Sequence, residues 1–198
     1  MVDGPAAQWM FTVVFTVLTL FSLIRLAHER TRPLQVVSHA AHAVMAADMV
    51  AMAWPWWWAI PHVPELLFFA AAAAWFAAML ALQLTGSLPR HRLGDHGPGH
   101  QSVHVVMMLA MVWMIAAMGA DAPTTTGGHD HVALSVTASL TGVAVTSGLI
   151  ITGAMLVIDA VEGSLFPARS RRGAHGDVVA HAVMCLGMAA MCGPMLTH

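Results

Sequence analysis

Charge is scarce in this sequence. Only 9% of the 198 residues are charged, the cations other than histidine are eight arginines, and lysine is absent. So few charged groups cannot cover the surface of a soluble globule of this size. The arginines are also too few to form a basic face that follows a phosphate backbone, so nucleic-acid binding is excluded.

Cysteine is nearly absent. Cys185 and Cys192 lie seven residues apart in one apolar segment, a spacing that on a helix separates them by about 10 Å. A disulfide cannot span that distance, so the two cysteines do not indicate a redox compartment.

Apolar residues are abundant: 58% of the chain is hydrophobic and the mean hydropathy is +0.72. A run of about 20 apolar residues can cross the hydrocarbon core of a membrane as a helix. Six such runs predict an all-α, polytopic membrane protein that forms a single transmembrane domain over residues 1–198. The fifth run is rich in serine, threonine and glycine, which let helix backbones approach closely in lipid. The predicted spans lie near 7–27, 36–59, 64–84, 101–120, 132–157 and 178–196.

The eight arginines group at three of the predicted connections, which the positive-inside rule places in the cytoplasm. Both termini are then outside, and spans two, four and six all run outward from the cytoplasmic face. The six spans form three successive hairpins, which suggests a pseudo-threefold axis along the membrane normal. The arginines are Arg25, Arg30 and Arg32 at or after the end of the first span, Arg90 and Arg92 after the third, and Arg169, Arg171 and Arg172 after the fifth.

Each of the three even-numbered spans contains the pattern H-x2-M-x3-M-x2-M. At about 100° per residue, the four positions of one repeat lie within an arc of roughly 80°, so they form one narrow stripe on their helix. The repeats are His42, Met45, Met49 and Met52; His104, Met107, Met111 and Met114; and His181, Met184, Met188 and Met191.

Parallel helices would bring equivalent stripe residues to equal depth. The prediction is one histidine layer nearest the cytoplasm, followed outward at about 4.5, 10 and 15 Å by three methionine layers. One turn before the histidines, Ser38, His100 and Asp177 share the same face and are expected to orient or extend the histidine layer. His39 and Cys185 flank the stripes as further candidate ligands.

Thioether and imidazole ligands together favour a soft metal ion, and Cu(I) fits best among the biological ions. Methionine needs no deprotonation before it binds metal, and several weak sites in series suit a path along which an ion moves. The stripes therefore predict Cu(I) handling in the membrane for transport, storage or delivery. A periplasmic or cytosolic copper donor or acceptor is the expected partner, and no catalytic residue is assigned.

Each repeat contains M-x3-M, as in Met45 and Met49, Met107 and Met111, and Met184 and Met188. This motif resembles the one on the pore helix of Ctr-type copper transporters, in which three subunits stack methionine triads on a threefold axis. The resemblance implies Cu(I) passage, although this chain has six predicted spans where that family has three. As a whole the chain resembles small His/Met-rich bacterial membrane proteins of unassigned function, which implies a bacterial plasma membrane.

Two other metal centres would use the same histidines. A haem held by a pair such as His42 and His104 would make the protein redox-active. A three-histidine zinc site with Asp177 and Ser38 beside it would activate water for an intramembrane hydrolase. A scaffold whose methionines only fill the core is the remaining alternative. Because neither haem nor zinc requires nine methionines, the pattern favours Cu(I), while enzymatic activity is left open.

Overall fold

The computed structural model describes residues 4–28, 33–86, 98–120, 136–165 and 172–197. All regular structure within these ranges is helical, so the predicted all-α class is confirmed. A short 3₁₀ helix, Pro55–Ala59, lies between the second and third α-helices. The α-helices are α1 Pro5–His28, α2 Pro33–Met52, α3 His62–Leu84, α4 Pro98–Ala120, α5 Val136–Leu165 and α6 Arg172–Thr197.

Proline marks the start of three of these helices, at Pro5, Pro33 and Pro98. It suits the first position of a helix because its fixed φ is already helical and its missing N–H would have no partner within the helix.

The end of α3 is determined by residues next to it in the sequence. Thr85 N–H donates to the Ala81 carbonyl, and the following Gly86 takes a φ of 70°, which glycine adopts without steric cost.

Five of the helices, α1, α3, α4, α5 and α6, are long and apolar enough to cross a membrane. They identify the chain as an integral membrane protein. The remaining helix, α2, has 20 residues and is less apolar. Its polar residues are Gln35, Ser38, His39, His42 and Asp48.

The prediction of one helix over 36–59 is wrong over its last part, 53–59, because α2 ends at Met52 and a 3₁₀ helix follows. The cause is Pro55, which lacks an N–H and disfavours helical geometry in the residue before it. Hydropathy did not reveal this end, since the proline stands in an apolar, tryptophan-rich run. The helix α5, by contrast, is longer than predicted: it continues to Leu165, past its predicted end near 157.

The topology prediction rests on arginines that largely lie outside the described residues. Arg25 is within the last turn of α1, and Arg172 is the first residue of α6. The other six, Arg30, Arg32, Arg90, Arg92, Arg169 and Arg171, are not in the described ranges.

The chain divides into two compact units. The first contains α1, α2, the part of α5 from Thr146 onward, and α6. The second contains α3, α4 and the part of α5 before Thr146. The interpretation of 1–198 as one domain, like the threefold arrangement of hairpins, stays a prediction.

In the first unit, α1 packs against α2 in an antiparallel hairpin. Trp54, just beyond the end of α2, donates from Nε1 to the Thr12 hydroxyl near the start of α1, at 2.9 Å. The Trp9 and Trp54 rings meet edge to face, with centroids 5.3 Å apart. The start of α1 therefore lies beside the end of α2.

The same helix α1 is also antiparallel to α6. Arg25 near its end contacts Asp177 near the start of α6, while Phe15 in its middle packs against Gly187 further along α6. Because α1 runs opposite to both α2 and α6, those two helices run in the same direction.

The second half of α5 approaches α6 closely at Gly153. A Cβ at that glycine would lie 2.9 Å from Cδ2 of Leu186 and 3.4 Å from Cβ of Cys185. Only a residue without a side chain fits there unless Leu186 moves, as expected for the small-residue composition of this span.

In the second unit, α3 packs against α4. Phe69, Ala73 and Phe76 form a buried face of α3 at spacings of four and three residues. The Gln101 side chain of α4 donates to the Phe76 carbonyl at 3.5 Å. Trp113 of α4 donates from Nε1 to the Ala138 carbonyl of α5 at 3.2 Å, which joins the three helices.

Candidate metal centre

The residues of the three stripes are all buried, and none is more than 8% exposed. Methionine in this chain is not interior by default, since Met10 and Met155 are 57% and 65% exposed. Met108, beside the α4 stripe, is buried as well. The buried stripe residues are His42, Met45, Met49 and Met52 on α2, His104, Met107, Met111 and Met114 on α4, and His181, Met184, Met188 and Met191 on α6.

In the first unit, the first residues of the α2 and α6 stripes are His42 and His181, and these two histidines contact each other. The rings of His42 and His181 meet edge to face, with centroids 4.5 Å apart and planes at 81°. Since α2 and α6 run in the same direction and rise about 1.5 Å per residue, their methionines continue from this contact in matching order. The first pair after the histidines is Met45 and Met184.

The contacts of these two rings with backbone carbonyls favour one tautomer of the neutral imidazole. Nδ1 of His42 lies 2.6 Å from the Ser38 carbonyl oxygen, and Nδ1 of His181 contacts the Asp177 carbonyl oxygen in the same way. A carbonyl oxygen only accepts, so each Nδ1 carries the hydrogen and donates it. In the neutral imidazole each Nε2 then holds the lone pair, which is the state that a metal ligand requires. Ser38 and Asp177 thus contact the histidines through their backbones.

The side chain of Asp177 has a different partner. Arg25 of α1 donates from Nε to Oδ1 at 3.2 Å and from Nη2 to Oδ2 at 2.7 Å, a two-point ion pair. The side chain of Asp177 is 7% exposed and that of Arg25 is 25% exposed.

Sequence reasoning missed this pair, because it grouped Arg25 with the loop arginines and considered Asp177 only beside the histidines. One signal was present. Arg25 falls inside the predicted span 7–27, and a charged side chain within an apolar helix is costly unless it finds a partner.

In the second unit, His104 is 1% exposed and lies between two rings. The Phe76 ring of α3 stacks on it with centroids 4.9 Å apart and planes at 30°. His100, one turn earlier on α4, meets it at a right angle with the same centroid distance. The spacing of four residues predicted that His100 lies beside His104 on one helix face. The contact with Phe76 joins two helices, so the sequence spacing within neither helix predicts it.

The two flanking candidates are both buried. His39 lies on α2 beside the stripe and is 9% exposed. Cys185 is fully buried and faces α5 at Gly153, so it lies on the side of α6 that packs against α5.

Comparison with curated proteins and with solved structures finds no match to this chain. A family model matches residues 34–195, which include all three stripes and leave out α1. Because the match covers most of the chain, the protein belongs to the family described as a domain of unknown function, DUF5134.

Proposed function

We propose that this membrane protein handles Cu(I), which it binds on the His/Met stripes for transport, storage or delivery. The observation that carries the proposal is the burial of the stripes together with the contacts of His42 and His181 Nδ1 with backbone carbonyls, which direct Nε2 to serve as the ligand atom. Two imidazoles presenting Nε2 lone pairs, followed by thioethers on two co-directional helices, form a neutral and soft donor set. Such a set favours Cu(I) over harder ions such as Mg²⁺ or Ca²⁺.

In the first unit, the proposed ligands are His42, His181 and the methionines that follow them. The α4 stripe is included because it repeats the same spacing of one histidine and three methionines, and His100 extends that stripe by one turn. The methionines of the proposal are Met45, Met49, Met52, Met107, Met111, Met114, Met184, Met188 and Met191.

Two contacts in the first unit bear on the alternative centres. A haem held between His42 and His181 would require the rings on opposite faces of a macrocycle, whereas their centroids are 4.5 Å apart in an edge-to-face contact. The pair of His42 and His104 stays an alternative, which the visible spectrum tests. A zinc hydrolase using Asp177 beside the histidines would require its carboxylate, which instead binds the Arg25 guanidinium at two points.

The proposal includes a topology in which α2 also crosses the membrane. Its 20 residues span about 30 Å, the thickness of the hydrocarbon core. Two of its polar residues, His39 and His42, are buried inside the protein and need not meet lipid. Both termini then lie outside a bacterial plasma membrane, the arginine-rich connections lie in the cytoplasm, and three hairpins surround a pseudo-threefold axis. Copper donors or acceptors on either side would be the partners.

Metal analysis and Cu(I) titration of the purified protein test the proposal. The detergent-solubilised chain is titrated with Cu(I) without oxygen, against a chromogenic Cu(I) chelator, and its visible spectrum is recorded. We expect at least one Cu(I) per chain and no displacement by zinc. A Soret band would establish haem instead, stoichiometric zinc without copper would favour the hydrolase, and no metal after loading would leave a scaffold.

Reconstitution distinguishes movement of copper from its storage. Liposomes that contain the protein and an entrapped Cu(I) chelator receive Cu(I) from outside. Transport predicts that lumenal chelator colour develops faster than in protein-free liposomes. Storage predicts Cu(I) bound in proportion to the protein, with no gain in lumenal colour.

A further inference from the structure

The ion pair between Arg25 and Asp177 joins α1 to the turn of α6 that holds His181. We propose that Arg25 and Asp177 are positioning residues for this histidine: they hold the first turns of α6 so that His181 presents Nε2 to the metal. The inference rests on the proposed Cu(I) function for its purpose, and on contacts within the first unit for its geometry.

The position of α6 against α1 is determined on both sides of His181. Before the histidine, Arg25 binds the Asp177 carboxylate, and a Cβ at Gly176 would lie 3.5 Å from Cζ of Phe21. After it, Phe15 of α1 packs so closely on Gly187 that no side chain fits there without a shift.

Asp177 connects the ion pair to the histidine through a single residue. Its side chain accepts two hydrogen bonds from Arg25, while its backbone carbonyl accepts the hydrogen of His181 Nδ1. The ion pair therefore fixes the position of the turn of α6 in which the Asp177 carbonyl accepts from His181. The bond to the carbonyl orients the ring, as the partners of metal-binding histidines do, and the ion pair determines where that ring lies relative to α1.

The guanidinium suits this task better than an apolar contact or a lysine. Its planar fork specifies one orientation of the carboxylate through two parallel hydrogen bonds, whereas an ammonium acts as a point charge. The pair thus defines the rotation of α6 near position 177 in addition to its distance from α1.

Substitutions of the pair test the inference by Cu(I) affinity, measured in competition with a chelator. Arg25→Gln and Asp177→Asn are each expected to weaken Cu(I) binding by about tenfold or more, the usual effect of losing the partner of a metal ligand. Exchange of the charges in the double variant R25D/D177R should recover part of the loss. Asp159→Asn, which removes an exposed carboxylate from α5 of the same unit, should leave the affinity unchanged.

The metal-free protein provides a second readout that does not depend on copper. In ¹⁵N-histidine NMR spectra, at a pH where the imidazoles are neutral, wild-type His181 should show the Nδ1–H tautomer. Arg25→Gln should shift the ring signals of His181, because the turn of α6 that carries the ring is no longer held against α1. His42 lies on α2, and its Nδ1 donates to the Ser38 carbonyl of the same helix, so it should keep the Nδ1–H form and serves as the internal reference.

The outcomes separate the two proposals. If folded Arg25→Gln protein keeps both its Cu(I) affinity and its His181 signal, the positioning role is overturned. If the wild-type chain binds no Cu(I) but the His181 signals still depend on Arg25, the proposed function fails and the positioning role stands. Should Arg25→Gln not fold, Arg25→Lys retains the charge without the fork, and the same two measurements on it decide the question.

Discussion

Phe15 on α1 occupies the space that a side chain at Gly187 on α6 would need. A Cβ at Gly187 would lie 2.7 Å from the Cζ atom of Phe15, closer than such atoms approach in folded proteins. Phe15 is fully buried, so its ring has little freedom to withdraw. The close contact between the two helices therefore depends on glycine at this position.

We expect Gly187→Ala to lower the free energy of unfolding by about 1 to 3 kcal/mol, the usual cost of overpacking a buried contact. Denaturation in mixed micelles measures the change. Gly193→Ala on the same helix is the matched control, because a Cβ there would have nothing within 4 Å, and alanine should be neutral or stabilising by about 0.5 to 1 kcal/mol. Equal effects of the two substitutions would contradict the packing argument.

The hydrogen bond from Trp54 to Thr12 should couple the end of α2 to the start of α1. In a double-mutant cycle with Trp54→Phe and Thr12→Val, we expect a coupling energy of about 0.5 to 1.5 kcal/mol in unfolding. The cycle cancels the loss of ring volume that Trp54→Phe causes alone. Purely additive effects would show that the bond contributes nothing to stability.

Replacement of the middle methionines, Met49, Met111 and Met188, by leucine should remove thioether ligands while it conserves volume. We expect the fold to persist, with less than about 1.5 kcal/mol lost per buried site, and the Cu(I) stoichiometry or affinity to fall. X-ray absorption should report fewer sulfur ligands per copper.

Leucine at the exposed Met10 and Met155 is the control for the methionine variant, and it should change neither quantity. If the triple variant binds Cu(I) with unchanged stoichiometry and affinity, the middle methionines only fill the core.

His42→Gln should remove a nitrogen ligand and weaken Cu(I) binding by about tenfold or more, a change that chelator competition measures. His28→Gln is a close control, since Nδ1 of His28 also contacts the carbonyl four residues earlier, that of Ile24 at 2.8 Å, but its side chain is exposed on α1. A similar loss in both variants would mean that His42 acts through the helix backbone and not as a ligand.

Much of the fold was predictable because lipid imposes a simple length requirement on apolar helices. The span predicted over 7–27 corresponds to α1, Pro5–His28, and the span over 64–84 corresponds to α3, His62–Leu84. The end of α2 was not predicted, since Pro55 ends the helix although the residues around it are apolar enough to continue a span.

The candidate site was visible for a related reason. The spacing of three and four residues places His42 and its methionines on one face of a helix, whatever surrounds that helix. The Arg25–Asp177 pair joins residues 152 positions apart, and a periodic pattern within one helix cannot predict a contact with a distant helix.

The sequence by itself determined the helical class, the membrane location and the sets of soft ligands that share a helix face, because each follows from the local order of residues. Only the tertiary structure decided which ring meets His42, which partner neutralises Asp177 and where α6 lies against α1. These features depend on packing between helices that are distant in the chain, and the periodicity of one helix carries no information about the side chains of another.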